Sequence, residues 1–246
     1  MFKKAVSVVA LAAAVTFTAG AAHALTIDDF NTTQSLTAST TAVPVSSFVT
    51  AAPTSIVGGE REATLIRNSG ADPATLNFNS GASGTLSVAN GTGGTSLSTV
   101  VWDGSADAGS LALDTLGLGG VDFTVGGLQN AFDLRVVAND FPAAITIDVY
   151  SGSDASTLTL NSTGLIPGPA SVPLLFEFAS FNTLSGAGAD FTNIGAIVLT
   201  INATFNATDI ELDFFGTTTT QVPEPGPLAA LGLGLGLLAF SRRRKA

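Results

Sequence analysis

The amino-acid sequence predicts an all-β protein, built as a two-sheet antiparallel β-sandwich, on three observations. Apolar and polar residues alternate along about ten to twelve short segments, which is the pattern of half-buried strands. Steps rich in Gly, Asn and Pro, which favour tight turns, separate these segments. Outside the two ends of the chain, no segment keeps a 3.6-residue apolar period over three turns. A single sheet would leave one apolar face in water, so two packed sheets are expected.

Each predicted strand is defined by side chains that alternate between two faces. The clearest is the last one, where Ile210, Leu212 and Phe214 alternate with acidic residues. Such a strand is expected to turn its apolar side chains inward and its acids to water. In chain order, the candidate strands lie at 63–67, 74–78, 85–89, 97–102, 121–125, 132–136, 145–150, 172–178, 197–202 and 209–214.

Residues 1–24 have the layout of a secretory signal peptide. Two lysines precede an apolar run over 5–19, and small side chains follow at Ala22 and Ala24, where signal peptidase requires them. We therefore expect a signal helix that is cleaved before Leu25. An uncleaved N-terminal anchor is the alternative, although the run is shorter than the ~20 residues of a membrane span.

Residues 222–246 form a second sorting segment in three parts, a Pro-Glu-Pro motif, an apolar run over 226–240 and a cationic cluster. This order predicts a short C-terminal transmembrane helix whose cations stay on the cytoplasmic side. The run rises only about 22 Å as a helix, which is short of the ~30 Å hydrocarbon core. The residues that define the segment are Val222, Pro223, Glu224 and Pro225 of the motif and Arg242, Arg243 and Arg244 of the cluster.

This three-part tail resembles the PEP-CTERM protein-sorting signal of Gram-negative bacteria. The resemblance implies recognition by exosortase, a membrane-embedded cysteine peptidase or transpeptidase, and export associated with exopolysaccharide. Signal peptidase and exosortase are the processing partners that follow from it. The chain would then touch the membrane only through its tail before processing, and end at the cell surface or outside the cell. An ordinary C-terminal anchor is the alternative, but it would not need the Pro-Glu-Pro step.

Between the two ends, the region 25–222 is strongly acidic. It contains 18 acidic residues and three arginines, Arg61, Arg67 and Arg135, with no Lys or His. Such a charge repels phosphate backbones, which argues against nucleic-acid binding. Without His, Cys or Lys, the region cannot form a Ser-His or Cys-His nucleophile, a Schiff base or a His- or Cys-ligated zinc site.

Carboxylates are therefore the remaining groups for catalysis, and paired-carboxylate glycoside hydrolysis stays open as an alternative. The acids are scattered over strands and turns, as on a solvated surface, so a non-enzymatic protein is expected. We assign 25–215 to the sandwich domain. The Thr-rich residues 216–221 carry no apolar alternation and are predicted to be a linker to the tail.

Several segments of the sandwich share a further pattern. An acidic-aromatic step lies at 25–30, a Phe-rich segment at 175–181 leads into 190–201, and acids recur along 209–214. Together they resemble galactose-binding-like jelly rolls, a group with many carbohydrate-binding modules; another β-sandwich is the alternative. The resemblance implies a jelly-roll fold and a structural Ca²⁺ between the first and last strands, although solvent-facing acids would show the same pattern. Its candidate ligands are Asp28, Asp29, Glu211 and Asp213.

Two aromatic residues are candidates for sugar contact. Trp102 and Tyr150 are the single Trp and the single Tyr of the chain, and an aromatic face packs well against the C–H groups of a pyranose. The alternative for Trp102 is a place in the core. The sequence thus predicts an exported structural or matrix protein, with a carbohydrate-binding module for exopolysaccharide as the alternative.

Overall fold

The computed structural model describes residues 24–105, 112–162 and 171–220 and confirms the predicted fold class. Within them, fourteen strands form two seven-stranded antiparallel sheets that pack as a sandwich. In the ranges that it describes, no helix is long and apolar enough to cross a membrane. The predicted signal helix, with Ala22, and the tail from 222 onward lie outside the described residues.

The strands are short. Three of the connections between them contain a 3₁₀ turn, at Val57–Gly59, Ser80–Ala82 and Phe178–Ser180. The strands are β1 (Thr26–Asp28), β2 (Gln34–Ala38), β3 (Pro44–Thr50), β4 (Glu60–Ser69), β5 (Ala74–Phe78), β6 (Leu86–Asn90), β7 (Thr95–Trp102), β8 (Ala131–Asn139), β9 (Ala144–Ser151), β10 (Asp154–Asn161), β11 (Val172–Glu177), β12 (Asn182–Ser185), β13 (Ala196–Ala203) and β14 (Asp209–Thr218).

The two sheets interleave strands from distant parts of the chain. The first sheet has the order β11-β8-β14-β6-β5-β2, with β1 paired to β14. The second has the order β12-β10-β9-β13-β7-β4-β3. Inward-facing residues of both sheets form one apolar core, as in β9, where Ile145, Ile147 and Val149 are fully buried. The outward residues of the same strand are half-buried, so the predicted alternation is confirmed there.

A β-bulge changes the alternation in β14. Its pairing with β8 shifts register between Leu212 and Phe214. Because a bulge adds one residue to the strand, the next buried side chain is Phe215 and not Phe214, which lies half-buried on the outer face. The prediction that Phe214 points inward with Ile210 is therefore wrong.

The predicted strand at 121–125 is a series of turns. Val121 makes an isolated antiparallel bridge with Ile194, and the next residues turn around the Asp122 side chain, which accepts a hydrogen bond from the Thr124 amide at 2.9 Å. Phe123 is nevertheless buried, and its ring lies 5.8 Å from that of Phe132. The apolar spacing at 121–125 thus predicted that Phe123 is buried, but it did not predict the backbone conformation of the segment.

The sandwich extends into the predicted linker. Gly216 pairs with Thr26, and Thr217 is buried. The Leu25 amide donates to Thr217 Oγ1 at 3.0 Å, and the Thr217 amide donates to the Leu25 carbonyl at 2.8 Å. β14 therefore continues to Thr218, because β1 gives its last residues a partner that the local sequence does not show.

Two further bonds hold the chain beyond the end of β14. The Thr220 amide donates to Asn130 Oδ1 at 2.7 Å, and Asn130 Nδ2 donates to Thr220 Oγ1 at 2.8 Å. The start of the described chain and its end at Thr220 thus lie at the same end of the sandwich. The chain is therefore held to the sandwich as far as Thr220.

A buried charge connects the two sheets. Arg61 of β4 is fully buried, and its Nη1 donates to Asp28 Oδ2 of the first sheet at 2.9 Å. Its Nε donates to Gln34 Oε1 at 2.9 Å, and its Nη2 donates to the Thr32 carbonyl at 2.7 Å. The guanidinium carbon lies 3.6 Å from the centre of the Phe78 ring. These contacts satisfy the guanidinium on several sides, which a buried charge requires.

Asp28 is satisfied by more than Arg61. Its Oδ2 also accepts from Trp102 Nε1 at 2.9 Å, and its Oδ1 accepts from the Phe30 amide at 2.8 Å. Burial raises the pKa of the Asp28 carboxyl, and the Arg61 charge and the hydrogen bonds oppose that rise. Burial also lowers the pKa of Arg61. The partners of each group thus reduce the cost of burying its charge, although burial remains the larger influence on both pKa values.

Arg61→Met should destabilise the sandwich by about 3–5 kcal/mol, because it leaves the Asp28 carboxylate buried without its cation. Arg135→Met is the control, since Arg135 is half-exposed and such pairs contribute only about 0–1 kcal/mol. The free energy of unfolding from urea titration measures both. Equal losses in the two variants would contradict a special role for the buried pair.

Candidate functional site

The structure places Trp102 in the core and not on a binding surface. Its side chain is fully buried, and its ring centre lies 5.3 Å from that of Phe215. Its indole nitrogen donates to Asp28, as described above. A buried ring presents no face to a sugar, so the predicted sugar contact at Trp102 does not fit the structure. The structure instead supports the alternative prediction that Trp102 belongs to the core.

Three of the four carboxylates predicted to bind calcium are bonded to separate partners. Asp28 is fully buried and is paired with Arg61. Asp29 Oδ1 accepts from the Asn31 amide at 2.9 Å, and Glu211 Oε1 accepts from Thr85 Oγ1 at 2.7 Å. Asp213 lies at the bulge of β14. Across the described ranges, no group of three or more acidic, His or Cys side chains is placed to hold a metal ion, so the predicted ligand set is not assembled.

The outer face of the second sheet carries a row of hydroxyl side chains. The register places one Thr or Ser on each of six neighbouring strands, so that they form a line across the sheet. We call this line the hydroxyl row. Its members, from β10 to β3, are Thr159, Thr146, Thr200, Thr99, Thr64 and Ser46.

Most of the hydroxyl row is open to solvent. Thr159 and Ser46 at its ends are exposed, Thr146, Thr200 and Thr99 are half-buried, and Thr64 is buried. Thr146 Oγ1 and Thr159 Oγ1 share a hydrogen bond of 2.8 Å. Each hydroxyl can donate one hydrogen bond and accept others, so the two paired hydroxyls can still form hydrogen bonds with a ligand.

Polar side chains flank the hydroxyl row on the same face. Register places Asp148 and Thr157 on one side of it, and Asn161 and Asn202 on the other. Tyr150, the predicted sugar contact, is half-buried on this face. Burial and the Asp148 charge raise the pKa of its hydroxyl, which therefore stays neutral and able to donate. The charged groups that register places on this face are acidic, Asp148 on β9 and Glu60 and Glu62 on β4.

A second candidate region is an acidic groove on the first sheet. The groove has a volume of about 300 Å³ and lies over β6, β14 and β8, with Asp140, Asp209 and Glu211 in its wall. Asp140 Oδ1 accepts from the Asp209 amide, and Asp209 Oδ1 accepts from the Asn90 amide at 3.0 Å. Each of the three carboxylates therefore commits one oxygen to a neighbouring segment, which is typical of groups that tie strand ends together.

Sequence reasoning missed the hydroxyl row. A signal for it was present, because β7 and β10 carry Thr residues on their outward positions and β9 and β13 each contain one outward Thr. Lining them up requires the strand order and the register, and neither is visible in a single sequence.

One family model, described as the PEP-CTERM protein-sorting motif, matches residues 221–245. The match confirms the predicted sorting tail. It implies that the chain is exported and carries a membrane-anchored sorting signal before processing. No curated protein matches the chain.

Among solved structures, the chain is similar to several carbohydrate-active proteins at low identity. A family 11 carbohydrate-binding module from Clostridium thermocellum, in complex with a β-1,3-1,4-mixed-linked tetrasaccharide, is 12% identical, covers 80% of this chain and 95% of its own, and has a TM-score of 0.38. An exo-β-agarase is 12% identical, with 82% of this chain and 26% of its own covered and a TM-score of 0.36. Carbohydrate-binding modules of the β-sandwich superfamily give 7% identity, 73% and 58% coverage and a TM-score of 0.31.

Asp209→Asn should stabilise the sandwich at pH 7 and leave it unchanged at pH 3. Burial and the Asp140 charge raise the pKa of Asp209, although the Asn90 amide opposes this. A carboxyl whose pKa is raised by folding favours the folded state only while it is protonated, and this advantage is lost as pH rises through its folded pKa. The amide in the variant stays neutral at both pH values.

Thermal midpoints at the two pH values measure this effect. Asp72→Asn is the control, because it removes one charge from an exposed carboxylate and reports the general effect of lowering the negative charge. An equal rise in both variants at pH 7 would show that the environment of Asp209 contributes nothing.

Proposed function

We propose that this chain is an exported, non-enzymatic protein of the cell surface or extracellular matrix that contacts exopolysaccharide through the hydroxyl row. The sorting motif at 221–245 supports export and exosortase processing. The hydroxyl row is the observation that carries the glycan contact, because it aligns six hydroxyl side chains across one sheet.

The geometry of the row suits an extended polysaccharide. Neighbouring strands lie about 4.8 Å apart, so the row repeats a donor-acceptor group at that interval across the sheet. A polysaccharide chain presents hydroxyl groups at a similarly regular interval. A chain lying across the strands would therefore meet one protein hydroxyl after another.

Charge favours a neutral glycan over an acidic one. The region 25–222 holds 18 acidic residues against three arginines, and Arg61 and Arg67 are buried. The negative potential of such a domain repels uronic-acid and sulfated chains. We therefore expect the ligand to be an uncharged polysaccharide.

A structural role without any ligand is the second candidate. Thr pairs on neighbouring strands stabilise a sheet by hydrogen bonding and packing. Two such bonds occur in the row, between Thr146 and Thr159 and between Ser46 and Thr64. A matrix protein would need these contacts for its own stability alone, and it would show no affinity for glycans.

Thr146→Val with Thr200→Val should weaken polysaccharide binding about tenfold while the fold is kept. Val preserves the branched shape of Thr and removes the hydroxyl, and two hydrogen bonds of about 0.5–1.5 kcal/mol each give a loss of that order. Retardation in gels that contain neutral exopolysaccharide measures the affinity.

Thr37→Val with Thr75→Val is the matched control, because these threonines also face each other across two strands but lie on the first sheet. The control should bind like the unchanged protein. If the unchanged protein is not retarded by any glycan, or if both double variants lose binding equally, the glycan contact is refuted and the purely structural role is favoured.

Processing at both ends should appear in the intact mass of the protein recovered from its host. We expect a chain that begins at Leu25 and ends at about Pro223 to Pro225, because signal peptidase and exosortase would remove the rest. A mass that includes residues 226–246 would mean an ordinary retained anchor. Any mass beyond that of the trimmed chain would reveal a group attached at the processed end.

A further inference from the structure

A groove on the first sheet opens beside the point where the chain leaves the sandwich. Its volume is about 320 Å³, and it lies over β11 and β8. Pro173 and the exposed Leu175 give it an apolar wall. Thr218 and Thr219, at the end of β14, also line it. The groove is therefore within reach of the residues that follow Thr220.

Arg135 gives this groove a positive charge. Of the three arginines in the described residues, it is the one with a largely exposed side chain, at 47%. Its Nε donates to Asp133 Oδ2 at 3.1 Å, and its guanidinium carbon lies 5.3 Å from the centre of the Phe214 ring. Its Nη1 and Nη2 make no hydrogen bond within the described residues, and two such nitrogens can bind a carboxylate by two parallel hydrogen bonds.

Asp133 supplies an unused acceptor in the same groove. Its side chain is almost fully buried, with 6% exposure, and its Oδ1 has no hydrogen-bond partner. Buried polar atoms in native proteins almost always have a partner. An occupant of the groove with a backbone N–H group would satisfy this atom.

We propose that the groove binds the sorting motif of the same chain, Val222-Pro223-Glu224-Pro225. In this arrangement the Glu224 carboxylate pairs with Arg135, the proline rings pack on Pro173 and Leu175, and a backbone amide of the motif donates to Asp133. The motif carries one negative charge between proline and valine side chains, which matches a groove with one cation, Arg135, beside the apolar wall of Pro173 and Leu175.

The length of chain between Thr220 and the motif allows this contact. Glu224 lies four positions after Thr220, and a chain of that length spans at most about 14 Å when extended. Since Thr218 and Thr219 themselves line the groove, a reversal of direction after Thr220 brings the motif into it. The two prolines also restrict the free segment, which lowers the entropy lost on binding.

Binding of the motif to the domain has a consequence for processing. A motif held in the groove is covered on one side by the sandwich, so a peptidase binds it only after it leaves Arg135. The groove would thus shield the cleavage segment until the domain has reached the enzyme. This step depends on the exosortase processing proposed above, whereas the contact itself does not.

Disulfide trapping in the full-length chain tests the contact directly. The chain has no Cys, so a pair of introduced cysteines has no competitor. The pair Leu175→Cys and Pro225→Cys should oxidise rapidly, because a disulfide needs Cα atoms within about 7 Å. The control pair is Leu184→Cys and Pro225→Cys, since Leu184 is also exposed but lies on the second sheet. The protein is made in a host without exosortase so that the tail is kept.

Charge exchange identifies the ion pair. Arg135→Glu in the first cysteine pair should slow disulfide formation by about threefold or more, and adding Glu224→Arg should restore it, because the two charges are then exchanged. Arg135→Gln serves if the charge reversal disturbs folding, as judged by circular dichroism. Equal oxidation of the two cysteine pairs, or no change on removing the Arg135 charge, would overturn the proposal. Neither result depends on glycan binding or on processing.

Discussion

The positive charge of Arg61 lies buried between the two sheets, and the chain from β1 to β2 supplies the groups that satisfy it. Asp28 supplies the counter-ion, and Gln34 and the Thr32 carbonyl take the remaining donors. The chain between β1 and β2 must therefore run past the guanidinium. Phe30 adopts a left-handed φ of 54°, and its amide bonds to Asp28. Since β1 is held by this network, it can in turn hold the end of β14.

Alternation of apolar residues was sufficient to predict the sandwich and strands such as β9 and β13, because their inward positions are filled by large aliphatic side chains. It failed where a local irregularity changes the period, as at the bulge that turns Phe215 inward. It also failed at β3 and β12, which are edge strands with few buried residues. Edge strands have one neighbour and one open side, so their sequences need little apolar alternation.

The predicted site residues show a similar limit. The family resemblance suggests Asp28 as a metal ligand, and the sequence offers Trp102 as either a sugar contact or a core residue. Asp28 instead pairs with Arg61, 33 residues away in the chain, and the buried Trp102 donates to Asp28. Conversely, the hydroxyl row and the groove at Arg135 are made of common residues. They become distinctive only when the pairing of strands brings them side by side, and a single sequence does not show that pairing.

The position of β14 also determines how the domain would bear mechanical load. β14 is an inner strand, with β8 beside it over most of its length and with β6 and β1 on its other edge. A pull on the tail acts along the strand axis, whereas the hydrogen bonds of an antiparallel ladder lie perpendicular to it. The bonds are therefore sheared together and cannot be opened one at a time. A domain held by its C-terminal strand in this way would resist extraction far better than one attached through an edge hairpin.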